Sequence, residues 1–304
     1  MSAEVIVIGG GPAGATAAMT LGRHGVKVRL VDPLGVGGQL INVEYLPDWP
    51  GSPAGVAGWD LAAALGEAVL DAGAKLTMGR VTALHAPNGP QSTWQVDIDG
   101  VGQPATAVIL ATGTVPTPLV GGAELEGRGV SYCASCDGGL FRGQDVVVVG
   151  GGDIAMAEAC SLAPLVTRVV VAVAGPSPDA AAAWLAAAQA HANVEILTHA
   201  AQLRVERQAD RVIGVSYLDA QGALRRVAAA GVFGGLAGRP AAELGAGLAP
   251  LGEDGGLVAG PSLRLGQRPG LFVAGDVRSA SARLAVTAAG DGAAAAAAIV
   301  AYLR

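Results

Sequence analysis

The chain has few cysteines, few aromatic residues and few charges for its length. Of its 304 residues, 3 are Cys, 4% are aromatic and 14% are charged. Three cysteines are too few for a disulfide framework, and a formal net charge of -6 without a basic cluster excludes a nucleic-acid-binding surface. No basic leader precedes the first apolar segment, so we expect a cytoplasmic protein.

The sequence also lacks an apolar run long enough to suggest a membrane span. Its longest apolar run, Ala293–Leu303, is shorter than the roughly 20 residues that cross a bilayer. We interpret it as a core helix and expect no membrane partner. Glycine, by contrast, is abundant at 47 residues, which is typical of helices packed on sheets through tight turns. The length predicts two domains.

A glycine-rich turn follows the first apolar segment. The segment Val5–Ile8 predicts a strand, Gly9-Gly-Gly-Pro-Ala-Gly14 a turn, and the small residues after it a helix. In such a unit the glycines allow a tight turn, a close approach to a pyrophosphate and helix packing, and the helix N-terminus favours the phosphate charge. Asp32 ends the next predicted strand, where a carboxylate can hold a ribose hydroxyl. This pattern predicts a dinucleotide site.

The same pattern recurs in the middle of the chain. A predicted strand over Asp145–Val149 leads into a second turn, whose candidate binding residues are Gly150, Gly152, Asp153, Ile154 and Ala155. The strand after it runs into Ala174-Gly-Pro-Ser-Pro178, which has no acid for a ribose and no arginine for a 2′-phosphate. The second site therefore holds a second FAD, NAD(P)H or nothing, with the turn kept for packing alone.

Two of the three cysteines form the motif Cys133-Ala-Ser-Cys136-Asp137. A two-residue spacer at a helix start lowers the pKa of a thiol and is typical of a redox pair. Half of a zinc site is the alternative, but no second Cys or His pair follows at ligand spacing, so we predict no metal site. Asp137 is either a helix cap, a proton donor and acceptor, or both.

Taken in order, these motifs resemble the low-molecular-weight thioredoxin reductase family along nearly the whole chain. The matching segments are Gly9–Gly14, Gly37-Gly-Gln-Leu40, Trp49-Pro-Gly51, Ala111-Thr-Gly113, Cys133–Asp137, Gly150–Asp153, Phe272-Val-Ala-Gly-Asp276 and Thr287-Ala-Ala-Gly290. The resemblance implies an α/β fold of two three-layer, Rossmann-like dinucleotide-binding domains, the second inserted into the first. It implies an FAD domain over residues 1–115 and 240–304, and an inserted domain over 116–239 that carries the cysteine pair.

The resemblance also implies which residues hold FAD. The glycine turn would cradle the pyrophosphate, Asp32 the adenosine ribose and Asp276 the ribityl and phosphate region, while the backbone of Val81 would contact the adenine. The full implied set is Gly9, Gly11, Pro12, Ala13, Gly14, Asp32, Gly38, Gln39, Asp48, Val81, Ala111, Thr112, Gly113, Gly275, Asp276, Arg283, Leu284 and Ala285. Asp48 and Leu284 depart from the Asn and Gln that the family usually has there.

By the same resemblance, reduced flavin passes electrons to the Cys133–Cys136 disulfide. Cys136 would lie nearest the flavin, Cys133 would attack the disulfide of thioredoxin or a thioredoxin-like protein, and Asp137 would manage the proton. The family's arginines for the NADPH 2′-phosphate should fall within residues 174–179, which contain no basic residue. We therefore predict a donor other than NADPH, either ferredoxin or a second flavin, in a homodimeric enzyme.

Three other functions stay open at this point. The first is an ordinary NAD(P)H-dependent thioredoxin reductase with unusual cofactor contacts. The second is a dithiol oxidase that passes electrons from thiols to oxygen, and the third is an FAD-binding module without enzymatic activity.

Overall fold

The computed structural model describes residues 4–89, 92–266 and 268–304. The chain divides into two compact units: the first runs to Val115 and resumes at Arg239, and the second spans Pro116–Gly238. This division gives Arg239 to the first unit, whereas the sequence analysis placed it in the inserted domain. The reason is that the backbone of Arg239 pairs antiparallel with Val115.

The helices and strands follow one another in three stretches of chain. The first unit begins with β1 (Glu4–Ile8), α1 (Pro12–Arg23), β2 (Lys27–Asp32), α2 (Gly58–Asp71), β3 (Lys75–Met78), β4 (Val81–His85), β5 (Trp94–Ile98), β6 (Val101–Ala105), β7 (Ala107–Leu110) and β8 (Thr114–Val115). The second unit contains β9 (Val130–Ser131), α3 (Ala134–Asp137), β10 (Asp145–Val149), α4 (Asp153–Leu162), β11 (Arg168–Ala172), α5 (Ala182–Gln189), β12 (Val194–Leu197), β13 (Ala201–Gln208), β14 (Arg211–Leu218), β15 (Leu224–Ala228) and β16 (Gly231–Gly234). The first unit resumes with β17 (Arg239–Pro240), β18 (Leu271–Val273) and α6 (Ala285–Tyr302). Short 3-10 helices span Gly38–Asn42, Ala123–Leu125, Gly138–Phe141, Glu243–Gly245 and Gly275–Val277.

A five-stranded parallel sheet, ordered β18-β7-β1-β2-β3, forms the middle layer of the first unit. Val5–Ile8 of β1 and all of β7 are apolar and buried because both faces of the sheet are covered. Residues of α1, α2 and α6 pack on one face, and Trp94, Val96 and Ile98 of the antiparallel β4-β5-β6 sheet pack on the other. The unit therefore has three layers, with the helices on one side only.

The second unit repeats this arrangement. Its parallel sheet is ordered β12-β11-β10-β16-β9, and the antiparallel sheet β13-β14-β15 is its second sheet. Side chains of α4 and α5 pack with one face of the parallel sheet, and Val205, Val215 and Tyr217 of the antiparallel sheet pack with the other. Two three-layer dinucleotide folds, the second inserted in the sequence of the first, are thus confirmed.

In each parallel sheet, the strand that leads into the glycine-rich turn is followed by a glycine whose backbone conformation and neighbours disfavour any side chain. Gly9 after β1 has φ 107° and Gly150 after β10 has φ 145°. A Cβ atom would lie 2.2 Å from the Ala111 carbonyl oxygen in the first case and 2.5 Å from the Gly235 carbonyl oxygen in the second. The two turns therefore have the same construction: the backbone that follows a neighbouring parallel strand, β7 or β16, packs directly against the glycine.

Helix α6 is long and apolar enough to cross a membrane by length and composition, with a mean hydropathy of 1.4. Its buried residues, however, belong to the core of the first unit: Ala288, Ala295, Ala296 and Ile299 share one cluster with α1 and the parallel sheet. The apolar composition of a helix that packs one face in such a core is explained without a membrane. We therefore interpret α6 as a core helix, as expected from the sequence.

Candidate active site

The first glycine turn leads directly into the N-terminus of α1. Gly11 is the N-cap residue, Pro12 occupies the first turn, and no side chain in the described part of the chain caps this helix. First-turn amides have no acceptor within their own helix, so Ala13 and Gly14 present N–H groups that can donate to a bound anion. The positive end of the helix adds to this attraction.

Two distant segments meet this helix start. A Cβ atom on Gly38 would lie 2.7 Å from Gly11 Cα, and one on Gly275 would lie 2.8 Å from Ala13 Cβ. A Cβ atom on Gly11 itself, by contrast, would have no neighbour closer than 3.9 Å beyond its adjoining residues. Gly11 is therefore open on the side where a ligand would approach. The cradle fits the pyrophosphate of a dinucleotide such as FAD, which needs backbone at close range.

Asp32 is fixed at the end of β2 by backbone donors. Its Oδ2 accepts from the Gly10 N–H at 2.8 Å, and its Oδ1 accepts from the N–H groups of Leu34 and Gly35 at 2.8 and 3.1 Å. These bonds tie the carboxylate to the glycine turn. They hold an acidic group where an adenosine ribose would follow the pyrophosphate.

Asp276 lies in the 3-10 helix that follows β18 and is partly buried. The Ser281 hydroxyl donates to its Oδ1 at 2.8 Å. Burial raises the pKa of Asp276, and the Ser281 hydroxyl and the charge of Arg283 oppose that rise. The structure thus keeps a partly buried carboxyl next to Gly275, the residue that meets Ala13.

Asp291 of α6 supports this region, and the sequence analysis missed it. Its Oδ2 accepts from the Gly275 N–H at 3.1 Å and from Arg278 Nε at 2.5 Å, and Arg278 Nη2 donates to Oδ1 at 3.3 Å. The available signal was that Asp291 is the one charged residue in the sequence of α6. A charge in an otherwise apolar core helix calls for a buried partner.

The loop before α6 has an unusual backbone. Ala280 and Arg283 have φ of 57° and 56°, values in the left-handed region that few non-glycine residues adopt. The Arg283 N–H donates to Ser281 Oγ at 3.1 Å, and Leu284 is the N-cap residue of α6. Ala285 then packs on the small core cluster that also receives Trp49. The loop therefore enters α6 in a constrained backbone conformation, which fixes the position of the helix N-terminus.

The other predicted FAD residues lie in the first unit, where contacts hold several of them in place. Gln39 Nε2 donates to the Thr114 carbonyl oxygen at 3.3 Å, and Thr112 Oγ1 donates to the Ala241 carbonyl oxygen at 2.6 Å, which holds the segment through Gly113 in place. Val81 begins β4, two residues after Gly79, whose N–H donates to the Asp32 carbonyl oxygen at 3.2 Å. Asp48 is exposed in the loop before Trp49.

The cysteine pair lies in the second unit, where Cys133 and Cys136 form a disulfide. Cys133 is the N-cap residue of α3, and its Sγ accepts from the Cys136 N–H at 3.2 Å. Such a donor can stabilise negative charge on Cys133 Sγ once the disulfide is reduced. Cys133 is buried at 9% exposure, whereas Cys136 is exposed.

Asp137 is tied to the cysteine pair through a serine. The Ser131 hydroxyl donates to Asp137 Oδ2 at 2.7 Å, and the Cys133 N–H donates to Ser131 Oγ at 3.1 Å. A second carboxyl, Glu158 of α4, accepts from the Ala134 N–H at 2.6 Å. Sequence reasoning found neither Ser131 nor Glu158, because their link to the pair depends on how α3 and α4 pack.

The loop after β11 brings one carboxylate, that of Asp179, onto the second glycine turn. The Asp179 N–H donates to the Gly151 carbonyl oxygen at 3.0 Å, and its carboxylate Oδ1 would lie 3.2 Å from a Cβ atom on Gly151 and 3.6 Å from one on Gly152. Asp153, at the first turn of α4, accepts from the Ala181 N–H at 2.6 Å. A carboxylate of the protein itself therefore lies beside the turn that could receive a phosphate.

Within the described residues, no group of three or more His, Cys, Asp or Glu side chains could hold a metal ion. The structure gathers the predicted FAD residues in the first unit. It places Cys133, Cys136, Asp137 and the second glycine turn in the second unit. The roles of the individual residues stay predictions.

Two dinucleotide folds, one of which carries a Cys-x-x-Cys disulfide, define the class of the flavin-dependent disulfide oxidoreductases. Residues 3–292 match the pyridine nucleotide-disulphide oxidoreductase family. A thioredoxin reductase of Mycolicibacterium smegmatis is 36% identical over 96% of this chain and 94% of its own length. The bifunctional thioredoxin reductase/thioredoxin of Mycobacterium leprae (strain TN) is 33% identical over 96% of this chain and 64% of its own length.

Among solved structures, Lactococcus lactis thioredoxin reductase in its FR conformation has a TM-score of 0.92 and 29% identity, with 99% of each chain covered. The chain belongs to the pyridine nucleotide-disulphide oxidoreductase family, in the low-molecular-weight thioredoxin reductase branch. It is a flavin-dependent disulfide oxidoreductase, and FAD, the cofactor that this family implies, fits the cradle of the first unit.

Proposed function

We propose that this enzyme reduces the disulfide of thioredoxin or a thioredoxin-like protein through Cys133 and Cys136, with a donor other than NADPH. The observation that carries the proposal is the Cys133–Cys136 disulfide at the start of α3, in a chain of this family. Its relatives are thioredoxin reductases, and one of them joins the reductase to a thioredoxin in a single chain.

Different residues of the chain would bind the cofactor and transfer the electrons. FAD, when bound, supplies a two-electron carrier. The α1 cradle and Asp32 would hold its phosphates and ribose, and the N-terminus of α6 would stabilise negative charge on the reduced ring. Cys136, which is exposed, is the sulfur that such a ring can approach. When the S–S bond breaks, Cys133 keeps the electron pair as a thiolate, next to the Cys136 N–H.

Transfer to the partner is a thiol–disulfide exchange. The Cys133 thiolate attacks one sulfur of the partner's disulfide, whose S–S bond breaks, and the released partner thiolate takes a proton. Cys136, as a thiolate, then attacks Cys133, which re-forms the internal disulfide and releases the second partner sulfur. Asp137, anchored by Ser131, is the carboxyl that would supply and receive the proton. This sequence requires Cys133 to gain access after reduction, because it is buried in the disulfide state.

The position of Asp179 beside the second glycine turn supports a donor other than NADPH. Asp179 brings a negative charge to the place where a pyrophosphate would bind, and residues 174–179 contain no basic residue to bind a 2′-phosphate. Each missing charge-assisted contact costs about 1.5 to 3 kcal/mol. The same charge disfavours a second FAD, so we propose one FAD per chain and an external donor such as reduced ferredoxin. The homodimer and the cytoplasmic location stay predictions.

The test is a flavin count followed by a turnover assay. Purified holoenzyme should release one FAD per chain and, with chemically reduced ferredoxin, should generate thiols on oxidised thioredoxin. Cys133→Ser and Cys136→Ser should each lower the rate roughly 100-fold or more while they keep the flavin, because both sulfurs carry the electrons. Two flavins per chain, or undiminished turnover in either variant, would overturn the proposal. Steady oxygen consumption with a dithiol and no thioredoxin reduction would favour the dithiol oxidase instead.

A further inference from the structure

The carboxyl of Glu158 lies beside the redox pair and has no role in the reaction described so far. Its Oε2 accepts from the Ala134 N–H at 2.6 Å. Ala134 directly follows Cys133 and is the first residue of α3, so this amide is one of the donors that a helix start leaves without an intrahelical partner. Glu158 thus holds, from α4, the same turn whose Cys136 N–H reaches Cys133 Sγ.

In the described part of the chain, burial and the Ala134 N–H account for the pKa shift of Glu158, and no positive charge contributes to it. Helix α4 packs against α3, α5, β10 and β11. The titratable or charged groups of these elements are Cys133, Cys136 and Asp137 at α3, Asp153 and Cys160 of α4 itself, Asp145 of β10 and Arg168 of β11, and α5 carries none. Arg168 is engaged with Glu195 on the surface. The cysteine pair is therefore the group whose charge changes next to Glu158 during turnover.

Burial raises the pKa of Glu158 to about 7, although the Ala134 N–H lowers it. Near neutral pH this carboxyl thus exchanges a proton readily. A thiolate that forms on Cys133 favours the protonated carboxyl, and an ionised carboxyl disfavours the thiolate, because like charges in one partly buried site repel each other. The two titrations are coupled through the first turn of α3.

We propose that Glu158 is a positioning residue for the redox pair, which holds the first turn of α3 and takes up the proton that accompanies the Cys133 thiolate. Reduction adds two electrons, breaks the Cys133–Cys136 bond and leaves a thiol on Cys136 and a thiolate on Cys133. One proton goes to Cys136 and the second to Glu158. The electrons come from the reduced flavin, so the inference rests on the proposed function for its electron source alone.

The test replaces the flavin donor with a small dithiol. Oxidised holoenzyme is equilibrated with mixtures of reduced and oxidised dithiothreitol over a range of pH, and the fraction of reduced pair is measured by thiol labelling and mass spectrometry. In Glu158→Gln the amide oxygen still accepts from Ala134, but the charge is gone. Its equilibrium constant for reduction should match the wild type below about pH 6 and exceed it by about three- to tenfold above about pH 8.

Two further variants separate the charge from the hydrogen bond. Glu158→Ala should change the equilibrium at every pH, because it also removes the acceptor for Ala134. Glu67→Gln, which removes a carboxylate from the exposed surface of α2, should change nothing. A ratio of Glu158→Gln to wild type that does not vary with pH would overturn the inference and leave Glu158 a structural cap. The dithiol equilibrium requires neither the electron donor nor thioredoxin. A Cys133–Cys136 disulfide that no dithiol reduces would overturn the proposed function instead.

Discussion

The clearest case at the scale of single residues is Asp276, a partly buried carboxyl that we predict to hold the cofactor. Burial raises its pKa, and the Ser281 hydroxyl that donates to it offsets this cost only in part. A carboxyl whose pKa is higher in the folded than in the unfolded chain favours folding at low pH. Its contribution turns unfavourable as the pH rises from the ordinary Asp value through the raised one.

Asp276→Asn is therefore expected to raise the stability of the FAD-free protein at neutral pH, with a difference that vanishes in acid. The same substitution should weaken FAD binding by about tenfold or more, since the role we propose for Asp276 is a charge-assisted hydrogen bond to the cofactor. Urea unfolding of FAD-free protein at two pH values and calorimetric titration with FAD measure the two effects. Lower stability of the FAD-free variant at neutral pH would contradict the account.

Asp254 provides a control of opposite sign in the same region. Its carboxylate accepts from the N–H groups of Ala280 and Gly256, both at 3.0 Å, and these bonds hold its pKa below the ordinary value. Such a group stabilises the fold above the ordinary Asp value, and this contribution is lost as the pH falls through the lowered pKa. Asp254→Asn should thus lower stability at neutral pH, where Asp276→Asn raises it.

At the scale of elements, the contact between α1 and α6 determines where the cradle sits. Both helices have small residues at this contact, and a Cβ atom on Gly292 would lie 2.1 Å from the Ala13 carbonyl oxygen. Ala13 is also the residue that meets Gly275 and presents a first-turn amide. The close approach of α6 therefore fixes the part of α1 that would bind the pyrophosphate.

Gly292→Ala should lower the free energy of unfolding by about 1 to 3 kcal/mol, because the added methyl group pushes the helices apart. Gly290→Ala is the matched control, since Gly290 is exposed on the same helix and a Cβ atom there has no neighbour within 4 Å. It should raise stability by about 0.5 to 1 kcal/mol, the ordinary preference for alanine over glycine in a helix. Urea unfolding of both variants checks this, and equal effects would rule out the close contact.

The sequence predicted these elements well where periodicity and turn chemistry agree. The strand, glycine turn and helix from Val5 onwards and the second unit from Asp145 onwards both form as expected. The support from Asp291 and Glu158 could not be predicted in the same way. Each acts across a helix contact, and a single sequence does not specify which faces of two helices meet.

At the scale of the whole molecule, one fold occurs twice with different chemistry at its phosphate turn. In the first unit Gly11 is open and the α1 amides are available for an anion. In the second unit Asp179 lies over Gly151 and Gly152. The missing arginines were visible in the sequence, but the placement of Asp179 against the turn was not, because it depends on the path of the loop after β11.

The most direct test of this account is the visible flavin spectrum of anaerobic holoenzyme after addition of NADPH, NADH or a dithiol. We expect NADPH and NADH to leave the flavin oxidised over minutes. A dithiol should bleach the flavin in the wild type and fail to do so in Cys133→Ser and Cys136→Ser, because electrons reach the flavin through that pair. Rapid bleaching by NADPH would contradict the assignment of the second unit, and bleaching by a dithiol in the cysteine variants would contradict the redox pair itself.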